Sequence, residues 1–140
     1  MHLSPMPLPP NGPISAADWA SVRPGTVFSS VSRDAGTYTS QSYHSVGRKG
    51  LQLVIDIDAG AGNVTVSVLA RNPATGDFVT YSEATTAALS GAGQTVFTIR
   101  PGLEEDAGVH VPIAIPMEFK IQAVVAAAAL TFSVGGTLLP

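Results

Sequence analysis

The chain has 140 residues, 45% of them hydrophobic, which is enough for one domain with a buried core and excludes an intrinsically disordered chain. Charged residues make up only 12%, against a usual share of roughly 25%, and the net charge is −3, so there is no basic excess of the kind that binds nucleic acid. Cysteine is absent, which excludes disulfides and thiolate metal sites.

Residues 1–25 form a predicted proline-rich arm, beginning "MHLSPMPLPPNGPISAADW". Successive prolines favour extended backbone and remove hydrogen-bond donors. The run has no positively charged start and is broken by prolines, so it is not a secretory signal. We expect the arm to dock in a groove on a partner; the alternative is that it folds back and seals an edge of its own domain. The apolar side chains expected to be buried on docking are Leu3, Met6, Leu8, Ile14 and Trp19.

From Thr26 to the end of the chain, apolar and polar residues alternate with the period of a β-strand. Turn signals recur every eight to twelve residues or so, which is typical of an all-β protein. We therefore predict a domain over 26–140, an antiparallel β-sandwich or jelly roll of about seven or eight strands. The predicted strands are 26–33, 37–45, 51–58, 64–71, 78–83, 94–100, 117–125 and 129–136, the last two forming a closing pair.

The same alternation predicts the core. The side chains expected to face inward are Leu51, Leu53, Ile55, Ile57, Val64, Val66, Phe97, Ile99, Phe119, Ile121 and Phe132. Residues 121–140 carry no charge, but their strand-like alternation and polar side chains favour a sheet over a membrane span. This uncharged segment, together with the low charge of the whole chain, indicates self-association; the alternative is a monomer with a Ser/Thr-rich surface.

No motif of the sequence predicts catalysis. His2, His44 and His110 have no metal-ligand spacing, and no serine lies in a G-x-S-x-G elbow. The glycines of "DAGAGN" (58–63) lack the Lys-Ser/Thr of a phosphate-binding loop and predict a hairpin turn instead. We expect a protein that is not an enzyme and has no cofactor and no metal.

The carboxylates are the more informative polar groups. Asp56 and Asp58 share one face of a predicted strand, and Glu104, Glu105 and Asp106 crowd one loop. Such oxygen ligands can hold calcium, make ionic contacts to a partner, or simply face water. We take the loop carboxylates Glu104, Glu105 and Asp106 as candidate partner-binding residues.

A longer stretch carries a family resemblance. "GLQLVIDIDAGAGNVTVSVLARNPATGDFVTYSEA", followed by "TVFTIRPGL" and "FSVGGTLL", resembles a family of small tailed-bacteriophage capsid cement, or decoration, proteins. The likeness covers about 50–103 well and the closing strands weakly; the arm is not covered, and the acidic "LEEDAG" loop departs from the pattern. The matching residues, which mark turns, are Gly50, Asp56, Pro73, Thr75, Gly76, Pro101 and Gly102.

The resemblance implies a jelly roll on the exterior of the virion that locks neighbouring major capsid proteins together, often as a dimer. Such a protein is made in the cytoplasm of the bacterial host and binds neither nucleic acid nor membrane. The alternative is a carbohydrate-binding β-sandwich module of a head fibre or lectin-like protein. Stacking on sugars then depends on Trp19 and the tyrosines Tyr38, Tyr43 and Tyr81, because most phenylalanines are predicted to face inward.

Overall fold

The computed structural model describes residues 24–106 and 108–140, which form two packed β-sheets and no helix. Of the predicted arm, only Pro24 and Gly25 belong to these residues. The strands are β1 (Thr26–Arg33), β2 (Gly36–Thr39), β3 (Tyr43–His44), β4 (Gly50–Gly60), β5 (Asn63–Arg71), β6 (Phe78–Thr85), β7 (Leu89–Ser90), β8 (Gly93–Ile99), β9 (His110–Val111), β10 (Glu118–Ala126) and β11 (Leu130–Leu139).

The order of the strands is that of a jelly roll. The five-stranded sheet has the order β1-β11-β4-β8-β9, and the six-stranded sheet has β2-β10-β5-β6, with β3 on β10 and β7 on β5. If the two-residue strands are set aside, the eight remaining strands lie in the orders 1-8-3-6 and 2-7-4-5, which is the double Greek key of a jelly roll. Every pairing is antiparallel except that of β8 with β9. The predicted all-β sandwich is therefore confirmed.

Two details of the predicted connectivity are wrong. The closing strands β10 and β11 do not pair with each other: β10 lies between β2 and β5, whereas β11 lies between β1 and β4, in the other sheet. The glycine turn of "DAGAGN" is likewise no hairpin, because β4 and β5 belong to different sheets. Alternation shows which side of a strand is buried. Strands of both sheets alternate in the same way, however, so alternation cannot show with which strand a given strand pairs.

The predicted strand 37–45 is interrupted. Its two ends are β2 and β3, which both pair with β10. Between them, the side chain of Ser40 replaces a backbone group as a hydrogen-bond partner of β10. The Ile121 N–H donates to the Ser40 hydroxyl at 2.9 Å, and the Ser40 N–H donates to the Ile121 carbonyl at 2.8 Å. This side-chain substitution leaves two short strands on one edge of the six-stranded sheet.

The core lies between the two sheets, and the prediction of its members is confirmed: every side chain assigned to it is buried, none above 4% exposure. Phe97, Phe119 and Phe132 are the largest of the fully buried side chains. Tyr43, which alternation left among small polar residues, is also buried and packs against Phe119 with ring centroids 5.8 Å apart. The core therefore extends to the end of the sandwich where β3 lies.

Two connections between the sheets pass against each other at one end of the sandwich. The β4–β5 connection contains Gly62, and a Cβ added there lies 2.0 Å from the Ala128 carbonyl oxygen of the β10–β11 connection. A Cβ on Gly60 lies 2.6 Å from the Ala129 carbonyl oxygen, and the φ of Gly60 is +116°. No side chain fits at these contacts, so the glycines of "DAGAGN" serve a close backbone approach.

Truncation of a core side chain tests the assignment of faces along β4. Leu53 is fully buried, so we expect Leu53→Ala to lower the free energy of unfolding by about 2–5 kcal/mol through cavity formation. The adjacent Val54 points outward and is half-buried, and Val54→Ala should cost about 1 kcal/mol or less. Urea denaturation measures both; equal losses for the two variants would contradict the assignment of faces.

The close approach of the two connections gives a second prediction. Gly62→Ala should cost about 3 kcal/mol, the upper end for overpacking, because backbone has to move to admit the methyl group. Gly135→Ala is the matched control, since its added Cβ has nothing nearer than the Gly25 carbonyl oxygen at 3.6 Å, an ordinary contact. Thermal and urea denaturation of the two variants measure the difference, and a Gly62→Ala protein as stable as Gly135→Ala would contradict the steric argument.

Candidate interaction surfaces

Metal-ligating side chains are not grouped in the part of the chain that the structure describes. No group of three or more His, Asp or Glu side chains in residues 24–106 and 108–140 lies together as a metal site. His44 and His110 are both exposed and lie on different sheets. Four clefts lined by described residues measure about 210–250 Å³ each. Within the same ranges no helix has the length and apolarity that crossing a membrane requires.

The outer face of the five-stranded sheet is a broad surface of small uncharged side chains. Its register places Val54 of β4 beside Val96 of β8 on one side and Gly135 of β11 on the other. The neighbouring rows hold hydroxyl and amide side chains. We define this surface, the outer face, by Thr26, Ser32, Gln52, Val54, Asp56, Gln94, Val96, Thr131, Ser133, Gly135 and Thr137. Asp56 is the charged residue among them.

The two strand carboxylates predicted to share a face have different surroundings. Asp56 is half-buried between its cross-strand neighbours Ser133 and Gln94. Asp58 is exposed, lies where the β4–β11 register shifts, and accepts a hydrogen bond from the Ser30 hydroxyl. At this shift Phe132 pairs with Ile57 and Thr131 with Ala59, so Asp58 has no cross-strand partner on β11.

The outward side of the six-stranded sheet, in contrast, carries paired charges. Arg71 forms an ion pair with Glu118 at 3.6 Å, and the Lys120 ammonium lies 4.4 Å from the centre of the Phe78 ring. Leu69 points outward between them yet is only 5% exposed, because neighbouring long side chains cover it. These charges and Leu69 occupy one end of this side; towards the other end, Thr65 pairs with Val124 and Ser67 with Gln122, without a charge.

The candidate carboxylates of the 103–116 loop are exposed and lie apart from Asp56 and Asp58. Glu105 lines a cleft of about 250 Å³ together with Glu83 of β6, so the loop reaches across the side of the sandwich. Asp106 closes a turn through its backbone: its carbonyl accepts from the Val109 and His110 N–H groups, each at 2.8 Å. Among the described residues, the backbones of Glu104 and Glu105 take part in no turn of this kind.

Pro24 and Gly25, the last two residues of the predicted arm, lie beside β11. Pro24 packs against Gly136, and the Gly136 N–H donates to the Gly25 carbonyl at 2.8 Å. Pro24, Gly136 and Leu138 line a cleft of about 210 Å³. The arm residues singled out from the sequence, Leu3, Met6, Leu8, Ile14 and Trp19, lie outside the described residues. The structure therefore places the C-terminal end of the predicted arm next to the five-stranded sheet.

The tyrosines do not form an aromatic platform. Tyr43 is buried, and Tyr38 and Tyr81 are half-buried and packed against the core. The Tyr38 hydroxyl donates to the Asp34 carbonyl at 2.6 Å. Trp19 lies outside the described residues. A stacking surface of the lectin type therefore finds no support among the three tyrosines.

The state of the sheet edges could not be predicted from the sequence. Strand β1 is an edge with two register shifts, and the Arg33 guanidinium folds over it to donate to the Ser29 and Val31 carbonyls at 3.0 and 3.3 Å. Strand β8 forms much of the opposite edge of the same sheet. The one sequence signal for this edge is the lack of any charged residue from Ala84 to Ile99.

No protein-family model matches the chain, and no curated protein matches it either.

The exposed loop allows charge to be removed without loss of fold. We expect the triple variant Glu104→Gln, Glu105→Gln, Asp106→Asn to unfold within about 0.5 kcal/mol of the natural chain, since exposed side chains away from structural contacts contribute little. The backbone turn at Asp106 is retained in the variant. Urea denaturation measures the change, and a loss above about 1 kcal/mol would show that these carboxylates hold the loop in place.

Proposed function

We propose that the protein is a structural component of a bacteriophage virion that binds the outer surface of the capsid and cements neighbouring major capsid proteins. The observation that carries the proposal is the outer face of the five-stranded sheet, a wide surface on which Asp56 is the charged residue, whereas the outward side of the six-stranded sheet carries Arg71, Glu118 and Lys120 at one end. Covering a surface of this kind costs little desolvation free energy, because few charges have to be removed from water.

The fold supports the proposal only in a general way. Jelly rolls are found in viral capsid proteins and in lectins, and a fold by itself does not determine a function. The resemblance of residues 50–103 to capsid cement proteins favours the first of these. The half-buried or buried tyrosines weaken the second, since a sugar needs an exposed ring on which to stack.

The arm supplies a second contact in this proposal. Its last residues, Pro24 and Gly25, lie beside β11 of the five-stranded sheet, so the arm and the outer face can engage neighbouring parts of one shell. Prolines restrict the free arm and reduce the conformational entropy lost on docking. Burial of about 300 Å² of the side chains of Leu3, Met6, Leu8, Ile14 and Trp19 is worth about 7 kcal/mol at 25 cal/mol per Å², before the cost of ordering the arm.

The acidic loop supplies an electrostatic contact at the rim. Glu104 and Glu105 are exposed on the side of the sandwich, where they can face basic groups of a capsid subunit. Rim charges mainly affect the rate of association and its dependence on salt. We propose that the partner is the major capsid protein and that many copies, each binding modestly, together stabilise the shell.

A matched pair of valine variants tests the proposed face. Val54 and Val124 are both half-buried, point outward and lie on strands flanked on both sides, but they belong to opposite sheets. With empty shells of the parent phage that lack this protein, Val54→Lys should lower affinity at least tenfold in co-sedimentation, and Val124→Lys should bind like the natural chain. Deletion of residues 1–22 should lower affinity while the melting temperature changes little.

Three results would count against the proposal. Failure of the natural chain to sediment with the shells would overturn the function itself, and specific retention on a glycan array would favour the lectin-like alternative. Equal binding by Val54→Lys and the natural chain would exclude the outer face. A melting temperature that falls by many degrees on deletion of 1–22, with unchanged shell binding per folded molecule, would show that the arm belongs to its own domain.

A further inference from the structure

One edge of the five-stranded sheet is open. Strand β9 covers β8 only at Thr98 and Ile99, and from Gly93 to Phe97 no other strand of the described residues lies on the outer side of β8. The Thr98 N–H points to that outer side, because it donates to the Val109 carbonyl at 2.9 Å. Since direction alternates along a strand, the N–H and C=O groups of Gln94 and Val96 point outward as well.

This edge lacks the features that protect edges elsewhere in the molecule. Strand β1 has two register shifts and the Arg33 guanidinium over its carbonyls, and β2 and β3 are short and interrupted. Strand β8, in contrast, pairs with β4 from Gly93 to Ile99 without a register shift. It has no proline and no charged side chain, which are the usual means of preventing strand addition.

We propose that β8 pairs with β8 of a second copy of this chain, antiparallel, about a two-fold axis at Thr95. In this register the Gln94 N–H donates to the Val96 carbonyl of the second copy, and the Val96 N–H donates to its Gln94 carbonyl; symmetry doubles both bonds. The outward groups of the open segment are thereby all satisfied. The core faces of the two sheets remain on the same side, so β1-β11-β4-β8 continues as an eight-stranded sheet.

Charge favours a second copy as the occupant. An interface between identical copies brings each charge near its own twin, and the sequence from Ala84 to Ile99 has none. The nearest carboxylate on the face is Asp56, on β4, opposite Gln94. In the proposed dimer, Asp56 of the second copy lies three strand spacings away, from β4 through both β8 strands to the other β4, which is about 14 Å. This exceeds the Debye length of about 8 Å at physiological ionic strength, so the repulsion is largely screened.

The inference relocates the self-association expected from the sequence. The uncharged segment 121–140 cannot offer an edge, since β10 and β11 are both flanked by strands. The open segment of β8 is short, and pairing it buries less than the roughly 1,000 Å² typical of a stable interface. Association in free solution is accordingly weak and rises with concentration.

The absence of cysteine allows a direct test with the full-length chain. In the proposed register Thr95 faces its twin as a pair without mutual hydrogen bonds, with Cα atoms about 4.5 Å apart, within the range of a disulfide. Thr95→Cys should form at least tenfold more covalent dimer under mild oxidation than Thr80→Cys, a control on the edge strand β6. Non-reducing electrophoresis and mass spectrometry measure the yield, and equal yields from the two variants would overturn the proposal.

A second pair of variants separates strand pairing from chance collision. Val96 is 45% exposed and Val31 is 47% exposed, on opposite edges of the same sheet. In the Thr95→Cys chain, Val96→Lys should reduce the dimer yield at least tenfold, because two lysines approach across the axis, whereas Val31→Lys should leave it unchanged. Equal effects of the two lysines would overturn the pairing.

Hydrogen exchange distinguishes the second copy from the chain's own arm. The Gln94 and Val96 amides should become protected as the concentration of the natural protein rises. Protection that is already complete at low concentration would show that the same chain covers the edge and would overturn the proposal. No shell is present in these measurements, so their outcome is independent of the proposed capsid binding.

Discussion

The close passage of two chain connections at one end of the sandwich sets the geometry of the whole domain. A jelly roll places most consecutive strands in opposite sheets, so the chain must cross between them repeatedly. Here the β4–β5 crossing lies against the β10–β11 crossing, with Gly62 in contact with the backbone of Ala128. These four strands are flanked on both sides in their sheets, β4 and β11 in one, β5 and β10 in the other. A single contact therefore couples the central ladders of both sheets.

The register on each side follows from that contact. Gly60, the last residue of β4, pairs with Leu130, the first of β11, and Asn63, the first of β5, pairs with Ala126, the last of β10. Ala127 takes a positive φ of 73° between them, a conformation that costs a non-glycine residue energy and that the surrounding contacts have to maintain. From the contact between the two connections, the strands extend with alternate side chains directed inward. These inward side chains include Phe97, Phe119 and Phe132, which lie together in the core.

The sequence was sufficient for the parts of the fold that depend on local pattern. Alternation located the strands and identified Leu53, Ile121 and Phe132 as core, because burial of one face is a property of a single strand. Pairing is a property of two strands distant in the chain, and the pattern holds no information on it. That is why the pattern marks "DAGAGN" as a turn but does not distinguish a hairpin from a crossing between sheets. For the same reason it does not show that β10 and β11 lie in different sheets.

The same distinction applies to the candidate surfaces. The polar character of Gln52, Ser133 and Thr137 was visible in the sequence, but that they form one continuous face depends on the order β11-β4-β8. The proximity of Glu105 to Glu83, and the open edge at Gln94 and Val96, depend in the same way on the topology. The apolar residues of the arm remain a prediction, because they lie outside the described residues.

The few charged side chains are distributed unequally between the outward sides of the two sheets. On the six-stranded sheet Arg71, Glu118 and Lys120 are held by one another and by Phe78, so that surface is already suited to water. The outer face of the other sheet has Asp56 as its charged residue. Under the function proposed above, the five-stranded sheet faces the capsid and the six-stranded sheet faces solvent. The proposed pairing through β8 would lie in the plane of the five-stranded sheet and widen the covering face without obstructing it, so lateral association and surface binding would reinforce each other.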